Sequence, residues 1–81
     1  MTVRVKLFAV AKELAGCDEL SVELPLGSTI HDLRAAIVAV APPLSRIVPH
    51  AMWAVNAEYA NDSTRLSEQS EVALIPPVSG G

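Results

Sequence analysis

The residues best suited to chemistry close the sequence: Pro76-Pro77-Val78-Ser79-Gly80-Gly81, directly after the apolar run Val72-Ala73-Leu74-Ile75. Proline donates no ladder hydrogen bond and its φ is fixed, so the pair stops a strand and starts an extended tail. Val78 to Gly81 are four residues. At about 3.3 to 3.6 Å per residue they carry the last carboxylate roughly 13 Å from the body, far enough to enter another protein's cleft. Glycine lacks Cβ, so Gly80 and Gly81 pass a channel too narrow for any side chain and lie close to a nucleotide phosphate. A carboxylate is a poor electrophile because its charge is delocalised. Attack of the Gly81 carboxylate on the α-phosphate of ATP gives an acyl-adenylate, from which a sulfur donor displaces AMP to leave a thiocarboxylate. The competing reading is a frayed end. The preceding strand and proline pair favour a presented group.

Other nucleophiles and ligands are poorly supported. His31 and His50 lack Cys, Asp or Glu at metal spacing, and His31 falls in a first helical turn where solvent exposure is expected, so no metal is expected. The lone Cys17 has no CxxC partner, and nothing in the sequence activates Ser79. No glycine-rich loop ends in Lys-Ser or Lys-Thr, so the chain is expected to bind no cofactor itself and ATP belongs to an activating partner. The six basic residues, Arg4, Lys6, Lys12, Arg34, Arg46 and Arg65, are scattered in a chain of net charge −3, which argues against nucleic acid. No apolar stretch nears the roughly 20 residues of a membrane span, and no signal segment opens the sequence. With a single cysteine, the expectation is a cytoplasmic protein.

The elements that must position the tail follow from periodicity. In 81 residues, 51% hydrophobic, there is room for one core. Thr2 to Phe8 reads as a strand with Val3, Val5 and Leu7 inward and Arg4, Lys6 and Phe8 on the other face. Ala9 to Ala15 is a short helix closed by Gly16. Leu20, Val22 and Leu24 alternate as a strand pairing back on the first, ended by Pro25 and Gly27. Thr29 with Asp32 resembles a capping box for a main helix over Thr29 to Val40, whose stripe is Ile30, Leu33, Ile37 and Val40. Pro42-Pro43 stops it, and Leu44 to Pro49 is an irregular connector with some apolar contacts. Met52 to Val55, a turn at Asn56-Ala57 and Glu58 to Ala60 form a hairpin. Leu66 plugs the core below a loop, Ser67 to Ser70 connects, and Glu71 to Ile75 is the last strand, with Val72 and Leu74 inward.

This order describes an α+β roll, a mixed sheet curled around one helix. Residues 1–77 form the domain and 78–81 the reactive tail. If the first and last strands lie parallel side by side, Phe8 and Ile75 share one end of the outer face. With Tyr59 they are expected to make an apolar docking patch beside Pro76 and Pro77, the alternative being isolated surface apolars, which are common.

The residues that run from Val5-Lys6-Leu7-Phe8-Ala9 and Lys12-Glu13-Leu14-Ala15-Gly16, through Ala54-Val55-Asn56, to Glu71-Val72-Ala73-Leu74-Ile75-Pro76-Pro77-Val78-Ser79-Gly80-Gly81 resemble a known family. It is that of the small, sulfur-carrying subunits of molybdopterin synthase, ubiquitin-like β-grasp proteins. The resemblance spans the whole chain, and its specific part is the closing segment. It implies that an ATP-dependent adenylyltransferase activates Gly81, that a sulfur donor protein supplies the thiocarboxylate, and that the tail enters a large catalytic subunit. Sulfur there passes to a pterin precursor within a heterotetramer. Where the family carries an Asp-Gly-Asp type turn before the last strand, this chain has Glu68-Gln69-Ser70. Carriers for thiamin or cysteine synthesis, modifiers amide-linked to lysine, and an interaction module without terminal chemistry are the alternatives. The Pro76-Pro77-Val78 approach favours the first reading.

Overall fold

A computed structural model of the chain describes residues 1–77. Its elements run β1 (Thr2–Leu7), α1 (Ala9–Ala15), β2 (Glu19–Glu23), α2 (Ile30–Val40), β3 (Met52–Val55), β4 (Glu58–Ala60) and β5 (Glu71–Ile75), with two 3-10 turns, Pro42–Leu44 and Val48–His50, between α2 and β3. The sheet order is β2-β1-β5-β3-β4. Among the described residues only the β1–β5 pair is parallel, with Val5 opposite Val72 and Leu7 opposite Leu74. β2 runs back on β1, and β3 lies antiparallel to both β5 and β4. The expected mixed roll is what forms.

The core follows from the period of two in the strands. Val3, Val5, Val72 and Leu74 have no exposed surface and Leu7 almost none, and they face Ile30, Leu33 and Ile37 of α2, equally buried. α2 begins as its sequence dictates. The Asp32 carboxylate accepts the backbone N–H of Thr29 at 2.9 Å, while the Ile30 and His31 amides donate to the Thr64 and Asp62 carbonyls, each at 3.0 Å. Arg34 ties the same helix to that loop through a 2.8 Å ion pair with Asp62. Leu66 is buried as the plug beneath it.

Three expectations change. β1 stops at Leu7, because Phe8 leaves the ladder to precede α1. Val40 is exposed: it is the last residue of the helix, which stops before Pro42, and Ala41 and Leu44 occupy the core side where a fourth stripe residue was expected. The connector makes its expected apolar contacts through the buried Leu44 and Val48, but its backbone is regular in two 3-10 turns. The Glu68-Gln69 turn is closed by serines, Ser70 Oγ accepting the Ser67 N–H at 2.8 Å and the Ser70 N–H reaching the Ser67 carbonyl at 3.0 Å.

Candidate functional site

β5 is the central strand, bonded to β1 on one side and β3 on the other. Its inward residues anchor it in the core, and its start is clamped. Asn56 donates its backbone N–H to the Glu71 carbonyl at 2.8 Å and accepts the Glu71 N–H on its side-chain oxygen at 2.9 Å. A strand held this way delivers Pro76 and Pro77 at a fixed point. Pro76 is half-buried and Pro77 exposed. Val78, Ser79, Gly80 and Gly81, the expected reactive tail, lie outside the described residues.

The outer face of the sheet carries the apolar residues beside that exit. Ile75 is opposite Met52 in the β3–β5 register, and Phe8 lies one residue beyond the Leu7–Leu74 pair, level with Ile75. Phe8 keeps an extended backbone, φ −127° and ψ 153°, so strand alternation puts it on the face of Lys6. The next row is Lys6, Ala73, Ala54 and Tyr59. Phe8 is 48% exposed, Met52 52% and Tyr59 76%. Phe8 and Ile75 are thus brought together as expected. Tyr59 shares their face but sits on the edge strand, three strand spacings or roughly 14 Å from Phe8, and Met52 fills the interval. The sequence reading missed Met52. Its alternation with the buried Trp53 was the available signal.

Charges border this surface. Lys6 Nζ lies 2.6 Å from Glu71 Oε1 across the β1–β5 seam. Hydrogen bonding to Glu71, then its negative charge, raises the Lys6 pKa, and the same contacts with Lys6 lower that of Glu71. Beyond Phe8, a shallow recess is lined by Lys6, Lys12, Asp18 and Glu19.

The remaining candidates do not assemble into a centre. Among the described residues no three of His, Cys, Asp and Glu converge at metal distance. His31 is largely exposed, with Nδ1 3.8 Å from Asp62 Oδ2, and Cys17 is a half-buried free thiol. No helix among these residues is long and apolar enough to cross a membrane.

The sequence matches the model of the ThiS family over residues 5–81. It is 40% identical to the molybdopterin synthase sulfur carrier subunit of Chlamydomonas reinhardtii over the full length of both chains. Its fold superposes on the crystal structure of SAMP1 from Haloferax volcanii with a TM-score of 0.88, 32% identity and complete coverage of both chains. A putative molybdopterin converting factor subunit 1 from Pyrococcus furiosus gives a TM-score of 0.85 at 30% identity, covering 96% of this chain and 99% of that one. A mixed sheet of this order around one main helix, the Gly-Gly motif beyond its central strand and these likenesses lead to one assignment: the chain belongs to the ThiS family and has its ubiquitin-like β-grasp fold.

Proposed function

We propose that the chain is a sulfur carrier in molybdenum cofactor biosynthesis, loaded as a thiocarboxylate on Gly81. The observation that carries this reading is the placement of β5. The strand that leads into Pro76-Pro77-Val78-Ser79-Gly80-Gly81 is the central one, bonded to a neighbour on each side, and it ends beside an exposed apolar row. A carrier needs that combination, a rigid body that a partner grips and a narrow acyl end for chemistry done elsewhere. The likeness to sulfur carrier subunits of molybdopterin synthase supports the pathway.

The steps follow from the acyl end. An adenylyltransferase lets the Gly81 carboxylate attack the α-phosphorus of ATP, forming the acyl–phosphate bond and releasing pyrophosphate. Hydrosulfide supplied by a donor protein then adds to the acyl carbon, forming the carbon–sulfur bond, and the bond to AMP breaks so that AMP leaves with its oxygen and a thiocarboxylate remains. The loaded tail enters the large catalytic subunit, which grips Phe8, Ile75, Met52 and Tyr59, with Pro76 and Pro77 stiffening the approach and Val78, Ser79 and Gly80 threading the channel. Sulfur passes there to the pterin precursor.

A second reading is favoured by the SAMP1 likeness, since that protein is a small archaeal modifier protein. In it the activated Gly81 acyl group is taken by a lysine amine instead of sulfur. Intact mass after incubation with the activating enzyme, ATP and sulfide decides between them. Thiocarboxylation adds about 16 Da, the difference between sulfur and oxygen, whereas a modifier appears as amide-linked conjugates. Gly81→Ala should abolish or sharply reduce loading, and normal loading of that variant would remove the narrow-channel requirement.

A further inference from the structure

Among the described residues, three other than glycine have left-handed backbone: Asn56 at φ 51°, Ala57 at φ 69° and Ala9 at φ 51°. The first two form the two-residue turn of the β3–β4 hairpin, where positive φ at both positions matches the twist of the strands. Ala9 has no such reason. It is exposed, so no packing of its methyl rewards a conformation costing alanine about 1–2 kcal/mol. The cost is borne by what surrounds it. Leu7, buried, donates its N–H to the Asp18 carbonyl at 2.9 Å, and the fully buried Ala11 donates to the Phe8 carbonyl at 3.1 Å. Between these two anchors the chain passes from strand to helix in one step. Phe8 is the residue caught there, an aromatic nearly half exposed with its carbonyl engaged.

We propose that Ala9 is a positioning residue for partner docking: strand alternation puts Phe8 on the outer face, level with Ile75, and the left-handed backbone of Ala9 fixes the chain directly after it, so that Phe8 stays in the direction that a partner's apolar recess receives. This rests on the docking role of Phe8 argued above. Alanine suits the task because its Cβ leaves only a narrow well at positive φ, whereas glycine there roams the whole left half of the map and its mirror. Pre-organisation of Phe8 then contributes to affinity in proportion to the fraction of molecules that already present it.

The test is a double-mutant cycle between Ala9→Gly and Phe8→Ala, read as affinity for purified large subunit of molybdopterin synthase, with melting temperature recorded for each variant. Ala9→Gly should leave melting unchanged or higher, speed hydrogen exchange of the Ala11 amide, and weaken docking about three- to tenfold. In the Phe8→Ala background the same substitution should have no effect on affinity, because the side chain it positions is gone. Equal affinity of Ala9→Gly and the parent, or an equal loss with and without Phe8, would overturn the assignment to Ala9 while leaving the carrier reading intact. If Phe8→Ala alone docks normally, the docking face is wrong and the role of Ala9 falls with it.

Discussion

The two faces of one sheet are built from alternate residues of the same strands and do opposite work. Toward α2, Val3, Val5, Val72, Leu74 and Trp53 are sealed in the core. One residue along in each strand, Lys6, Ala73, Ile75, Met52 and Ala54 face away from it. The difference teaches where energy is stored and where it is left available. Inner residues stabilise the fold by removing apolar area from water, at about 25 cal/mol per Å². The outer row keeps Phe8, Met52 and Tyr59 in water, so the same gain remains for a partner to collect.

The sharpest way to break this contrast is Leu74→Ala, which opens a cavity under the central strand and should cost about 2–5 kcal/mol in denaturant unfolding. Its folded fraction should still dock normally; a large docking defect in that fraction would mean that the faces are not separable. Next comes Phe8→Asp, expected to weaken association with the large subunit about tenfold or more, roughly 1.4 kcal/mol or above. Stability should hold or rise in this variant, because Phe8 is the N-cap of α1 and makes no side-chain capping bond, a position that aspartate fills well. A drop in melting temperature would show that Phe8 serves the core. Away from both faces, Ala57→Gly relieves a left-handed alanine in the hairpin turn and should stabilise by about 0.5–1 kcal/mol, net of the extra freedom of the unfolded chain. Docking should not change.

The smallest effect concerns the Lys6–Glu71 pair on the outer face. The lowered Glu71 pKa makes its contribution present above the ordinary carboxylate range and lost as pH falls through the folded value. The raised Lys6 pKa makes its contribution full below the ordinary lysine range and lost as pH rises through its folded value. The pair is therefore complete across neutral pH. Both groups are open to solvent, so stability should change little. In an NMR titration Lys6→Met should return Glu71 to the ordinary carboxylate range, and an unmoved Glu71 would mean that Lys6 is not its partner in solution.

Local sequence determined what depends on near neighbours. The alternation of Val3, Val5 and Leu7, the Thr29–Asp32 capping pair, Gly16 in its left-handed cap at φ 75° and the Asn56-Ala57 turn were all legible, because each is decided within a few residues by backbone sterics and side-chain period. Tertiary structure alone decided that Ala41 and Leu44 displace Val40 from the core, that Met52 joins Ile75, that Tyr59 stands at the far edge, and that Ala9 rather than a glycine makes the turn after Phe8. Those outcomes depend on which strands become neighbours and on strain that distant contacts hold in place, and neither is encoded within a short window of residues.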